Sequence, residues 1–209
     1  MRLYSTVMGK ASAEQTIERS RFICYVSPAE TREEAEEFFD AIRKKHRDAT
    51  HNVPAMVIGD KMQIQWGSDD GEPQGTSGAP IVQMLVSMGI TNTAIVVTRY
   101  FGGIKLGTGG LVRAYTSSAK LGIEAAGVGG VYEMMALDYE MDYGAYSKLE
   151  SLKNDIFSVE NSAFSDKVTV SLALMPDKES EVMGVLTNLT GGKGKVIKIS
   201  KKFLTKEDK

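Results

Sequence analysis

Hydrophobic and polar positions along the chain switch between period two and period 3.6, and the switches divide it into elements. After a polar start, Arg21 to Val26 (Arg-Phe-Ile-Cys-Tyr-Val) is rich in aromatic and β-branched residues and predicts a strand. Thr31 then caps a helix, with Glu34 three residues on in capping-box position. Ala35, Phe38, Phe39 and Ile42 recur at helical spacing behind it. Acidic residues crowd the first turns of this helix, and Arg43, Lys44, Lys45 and Arg47 crowd its end, which suits the macrodipole. Two strands, Val53 to Ile58 and Met62 to Trp66, flank a Gly59-Asp60 turn. Ala79 to Met88 reads as a helix, with Pro80 tolerated in its first turn and Gly89 at its stop. The strand Thr93 to Thr98 follows, then a helix from about Gly109 to Ala126.

A second pattern begins after Gly127 to Gly130. It runs strand (132–141), helix (143–153), strand (156–160), strand (167–175), helix (178–190) and strand (195–203). That βαββαβ order is the ferredoxin-like one. Beyond residue 130 the chain has no histidine, cysteine, tryptophan or arginine. The expectation is therefore an α+β protein of two domains, residues 1–130 and 131–209.

Composition narrows the function classes. A net charge of −2 over 209 residues gives no global field for nucleic acid or membrane, so an anionic partner must be met by a local patch. The single cysteine, Cys24, leaves no partner for an internal disulfide. No segment approaches the ~20 apolar residues of a membrane span, and the first ten residues carry no signal-like apolar run. The expected location is cytoplasmic.

Four constellations could carry chemistry. The first is Arg99-Tyr100-Phe101-Gly102-Gly103-Ile104-Lys105, continuing through Gly109, Gly110 and Arg113. Glycines let the backbone approach an anion, and a helix start adds partial positive charge. Walker and Rossmann spacings are both absent. Anion binding and a tight packing turn are both compatible with it. The second is the acidic loop with Asp69, Asp70 and Glu72, which can serve a cation, acid–base work, a solvated turn or ion pairs with Arg99 or Lys105. The third is the pair of histidines. His46 is expected to be exposed at the basic helix end, whereas His51 can face the glycine-rich stretch. Neither has a second ligand at metal spacing, so no metal is expected. The fourth is Ser77, which is either a helix cap or half of a Ser–Lys nucleophilic pair.

The segments Ser20-Arg21-Phe22-Ile23, Ala49-Thr50-His51-Asn52, 69–81 and 96–115 together resemble the IMPACT family over nearly all of residues 18–127. One departure is Val53, where the family pattern carries a cysteine. The resemblance implies an N-terminal β-α-β domain like the second domain of ribosomal protein S5. It also implies a ferredoxin-like C-terminal domain similar to the last domain of elongation factor G. Eukaryotic members regulate translation by binding the activator of an initiation-factor kinase, and the present layout resembles the bacterial members.

From residues and resemblance together, the leading expectation is a non-enzymatic, translation-associated regulatory protein. It would bind RNA, the ribosome or another translation-associated protein, with no cofactor. The expected anion site comprises Arg99, Lys105, Arg113, Gly102, Gly103, Gly109, Gly110 and His51, with Asp69, Asp70 and Glu72 opposite. An enzyme acting on a phosphorylated or anionic small molecule in the same cleft, and a protein-binding adaptor, are the alternatives.

Overall fold

The structure, a computed structural model, describes residues 2–207 and divides into two compact units, residues 3–131 with 205–207, and residue 2 with 132–204. In the first unit the strands β1 (Arg2–Val7), β2 (Ala11–Ile17) and β3 (Ser20–Pro28) precede helix α1 (Arg32–Lys45). Strands β4 (His51–Ile58) and β5 (Ile64–Gly67), helix α2 (Gly78–Ser87), strand β6 (Thr93–Tyr100) and helix α3 (Gly107–Ala126) follow. The sheet order is β2-β3-β6-β4-β5, with antiparallel neighbours throughout.

Helices cover both faces of this sheet, so its central strands read as continuous apolar runs rather than alternating ones. On one face Phe22, Cys24, Val53, Ala55, Ile95 and Val97 pack against Ile81 and Leu85 of α2 and Leu111, Tyr115, Ala119 and Ile123 of α3. On the other face Met56, Ile58, Ala94 and Val96 pack against Ala35, Phe39 and Ile42 of α1. Thr31 caps α1 by accepting from the Glu34 N–H at 3.2 Å, while the Glu34 carboxylate reaches back to the N–H of Glu30. That is the capping box displaced by one residue.

The second unit contains β7 (Val128–Met141), α4 (Tyr143–Glu150), β8 (Phe157–Phe164), β9 (Val168–Leu174), α5 (Glu179–Thr190) and β10 (Lys195–Glu207). Its strands lie in the order β10-β7-β9-β8, fourth, first, third, second along the unit, as the ferredoxin-like topology requires. Leu137, Tyr139, Val168, Val170 and Leu172 meet Ala145, Leu149, Val182 and Leu186 from the two helices.

The structure departs from the sequence pattern in three places. The polar start forms two strands. In β2 the half-buried positions are Ala11, Ala13, Gln15 and Ile17, and the Gln15 amide donates to Ser117 and Ser118 on α3, so a polar residue takes an inward place. Helix α3 begins at Gly107, two residues before the expected start at about Gly109, so Gly109 and Gly110 lie inside its first turn. His46 is 9% exposed, not free at the helix end. It follows α1 and is held between the Tyr25 hydroxyl at 2.7 Å and the Tyr100 hydroxyl at 2.9 Å.

Candidate functional site

Strand pairing sets the first row of the site. Arg99 on β6 lies opposite Phe22 on β3 and opposite His51 on β4. With Val97 and Ile95 pointing to the α2/α3 face, the period of two sends Arg99 to that face, at the end where α3 starts. There Arg99 is 4% exposed, with its guanidinium over the Phe22 ring at 5.3 Å and the Phe101 ring at 5.4 Å.

A buried cationic head needs a partner, and the acidic loop supplies one. Glu72 Oε1 accepts from Arg99 Nη1 at 2.6 Å and from the Tyr115 hydroxyl at 2.7 Å. Arg99 Nη2 donates to Ser20 Oγ, which also accepts the Gly102 N–H. Arg99 Nε is enclosed without a partner. Burial, and then the hydrogen bond to Glu72, hold the Tyr115 phenol well above its usual range, so Tyr115 stays a donor. Tyr115 reads from the sequence only as an apolar helix position. A buried tyrosine hydroxyl needs a partner, and that requirement is the signal that could have placed it here.

The other two loop carboxylates brace the backbone. Asp69 Oδ1 accepts from the N–H of Ser77, the N–H of Gly78 and the Ser77 hydroxyl, and its Oδ2 accepts from the Gly75 N–H. Asp69 therefore caps α2 from outside the helix. The Ser77 hydroxyl is engaged by a carboxylate and is fully buried, which removes it from any lysine-activated pair. Burial raises the Asp69 pKa, but the bonds from Gly75, Ser77 and Gly78 outweigh it and leave the carboxyl below the usual range. Asp70, at a left-handed φ of +46°, accepts the Asn52 N–H through Oδ2 at 2.6 Å. Its carbonyl oxygen lies 2.7 Å from His51 Nδ1. A carbonyl can only accept, so that bond places the proton on Nδ1 and turns Nε2 of the neutral ring into an acceptor.

These elements enclose a cleft of about 430 Å³, within the ~300–1,000 Å³ span of small-ligand pockets. Thr50, His51, Glu72, Arg99, Phe101 and Lys105 line it, together with Gly107 and Thr108 at the start of α3. Gly102 makes the entry turn possible, since a Cβ there would stand 2.0 Å from the backbone carbonyl of Arg19. Gly107, at a φ of +71°, turns the chain into α3.

Of the expected site residues, the cleft brings together His51, Glu72, Arg99 and Lys105. Arg113 instead lines a neighbouring hollow with Glu18, Gly110 and Ser117, and Lys105 borders both. Gly103 and Gly109 are exposed near the same turn, and Asp69 and Asp70 stand behind the cleft as braces. Lys105 and Arg113 are exposed and have no ion-pair or side-chain hydrogen-bond partner among the described residues. No group of three or more metal-ligating side chains occurs among the described residues. No described helix is long and apolar enough to cross a membrane.

Residues 18–123, which contain every part of this cleft, match the Impact N-terminal domain. The chain belongs to the IMPACT family. It is 40% identical over 194 residues to the IMPACT family member YvyE of Bacillus subtilis (strain 168), covering 92% of this chain and 89% of that one. The IMPACT family member YigZ of Escherichia coli (strain K12) is 32% identical over 182 residues, 85% of this chain and 89% of that one. Among solved structures, the crystal structure of a hypothetical protein aligns with a TM-score of 0.61 at 30% identity, over 94% of this chain and 97% of that one. The matches to YvyE and YigZ therefore extend beyond residues 18–123 over most of both chains.

Proposed function

We propose that this IMPACT protein is a translation-associated regulator that binds RNA or an RNA-containing ribosomal component, without catalysis, at the turn from β6 to α3. The observation that carries the reading is the pair of exposed, unpartnered cations, Lys105 and Arg113, around the first turns of α3, with Phe101 46% exposed beside them. Free cations at a helix start suit phosphate, and an exposed ring suits a base. Arg99 is a poor phosphate contact in comparison, because Glu72 already neutralises it in a buried pair. The translational role of eukaryotic IMPACT members supports the same direction.

The test is fluorescence anisotropy with a short labelled single-stranded RNA, titrated with salt, for wild type and the Lys105→Ala/Arg113→Ala variant. Each single-strand phosphate contact contributes about 0.7 to the slope of log affinity against log salt, so the double variant loses about 1.4 from that slope. An unchanged slope refutes the assignment of these cations.

A second reading, an enzyme acting on an anionic small molecule in the same cleft, is supported by His51. Its Nδ1–H is fixed by the Asp70 carbonyl, and its Nε2 stands in the cleft as a proton acceptor. A thermal-shift screen of phosphorylated metabolites separates the two readings: stabilisation by a metabolite that RNA does not displace favours this one.

A further inference from the structure

His51 Nε2 and the Glu72 carboxylate face each other in the cleft, and no described residue supplies a donor to His51 Nε2 or to Glu72 Oε2. His51 Nε2, the acceptor end of the ring, lies 3.7 Å from Glu72 Oε1. Glu72 is 9% exposed, and its Oε1 is taken by Arg99 and Tyr115. Its Oε2 has no hydrogen-bond partner among the described residues. The only fully enclosed polar side-chain atom without a partner among those residues is Arg99 Nε, so Oε2 touches open space, and the open space bordering Glu72 is the cleft. A nearly buried carboxylate thus presents one bare oxygen beside an imidazole lone pair. Such a pair calls for a donor from outside. The Arg99 guanidinium offsets the carboxylate's charge, which favours neutral hydroxyl donors over an ammonium group.

At the other end of the cleft the chemistry reverses. Lys105 and the first N–H groups of α3 at Gly107 and Thr108 offer donors and positive charge, and Phe101 offers a ring face. A ligand that fills both ends of this one cleft carries hydroxyl donors, an anion and a flat group for the ring.

We propose that the cleft holds a ribonucleotide unit. Its ribose 2′-hydroxyl donates to Glu72 Oε2, and its 3′-hydroxyl, free at an RNA 3′ end or in a mononucleotide, donates to His51 Nε2; its phosphate lies at Lys105 and the start of α3, and its base lies against Phe101. This rests on the reading of the cleft as an RNA-binding site and adds the part that distinguishes RNA from DNA, since only the ribose 2′-hydroxyl makes that distinction at a single nucleotide.

The test uses the whole chain and changes the ligand before the protein. Anisotropy titrations compare a labelled oligouridine RNA with the 2′-O-methyl RNA and the DNA of the same base sequence. Uridine and deoxyuridine 5′-monophosphates are compared by thermal shift, so that a polymer and a free nucleotide are told apart as sources. Wild type is expected to prefer the ribo form by about tenfold to a hundredfold, the range for hydrogen bonds to charged groups. In Glu72→Gln the Arg99 and Tyr115 donors hold the amide oxygen and turn its NH₂ into the cleft, so the preference falls toward unity. His51→Ala, which leaves the ion pair intact, reduces it in part and covers the case in which Glu72→Gln unfolds. Equal binding of the three polymers overturns the ribose assignment, while salt-dependent binding in the same titrations keeps the phosphate reading. A ribose preference confined to the monophosphates supports the site and assigns it to free nucleotides. No binding of any of the five overturns both.

Discussion

Replacing Arg99 by methionine keeps a stem of similar length between Phe22 and Phe101 but removes the charge that faces Glu72. Breaking a buried ion pair by removing one partner costs about 3–5 kcal/mol, because the surviving charge is left desolvated. Here Tyr115 still donates to Glu72 Oε1, and Oε2 reaches the cleft, so the expectation lies at the low end, about 3 kcal/mol. For a chain of this size that lowers Tm by about 6–12 °C. The assay is urea unfolding followed by the single tryptophan, Trp66, which lies in β5 of the same unit and stacks on Phe39 at 6.0 Å. In the Arg99→Met/Glu72→Gln double variant the orphan charge is gone, so the two costs should not add, with a coupling of about 1–3 kcal/mol. A destabilisation below about 1 kcal/mol for Arg99→Met, or strictly additive single variants, would show that the pair does not hold the site together.

Four further outcomes follow from the same geometry. Asp69→Ala removes the acceptor for four donors at the start of α2 and should cost about 1–2 kcal/mol by urea unfolding, with Asp69→Asn milder. Because the Asp69 pKa is lower folded than unfolded, its contribution is present above about pH 4 and is lost as pH falls through the folded value, so Asp69→Asn should flatten the acid limb of a stability–pH profile. Burial first, and the neighbouring Lys45 and Arg21 next, push the His46 pKa down against the opposing pull of Asp48, so stability should fall as pH drops below about 6.5, and His46→Gln should remove that slope. Gly102→Ala forces a Cβ to 2.0 Å from the Arg19 backbone and should cost more than about 2 kcal/mol of thermal stability, whereas Gly103→Ala meets no atom within 4 Å and carries only the strain of its φ of +85°, about 1–2 kcal/mol.

The elements were most legible where burial on one or both faces imposed a strong pattern. The Thr31 cap and the apolar runs of β4 and β6 each state their structure locally. β2 was not legible, because its inward positions are alanines and a glutamine whose partners, Ser117 and Ser118, lie about a hundred residues away. The same non-locality hid His46, whose burial depends on Tyr25 and Tyr100 arriving from two other strands. At the site, an ion pair between the acidic loop and Arg99 was one of several alternatives left open by the sequence, and strand pairing decides among them. Arg99 looks like a ligand-facing cation until β-pairing places it in a row with Phe22 and His51, beneath Glu72.

The three carboxylates of the acidic loop look equivalent in sequence, and the fold gives each a different task. Asp69 answers the positive end of α2, Asp70 clamps the start of β4 and fixes the His51 tautomer, and Glu72 enters the core to neutralise Arg99. Two of the three thereby have their charge met by a helix start or a guanidinium. The charges that remain unmet around the cleft are then the exposed Asp70 on one side and Lys105 with the start of α3 on the other. On the proposed reading, a chain with an overall charge of −2 would offer a local anion-accepting surface in this way, because Asp69 and Glu72 of its acidic loop are turned inward to build the site.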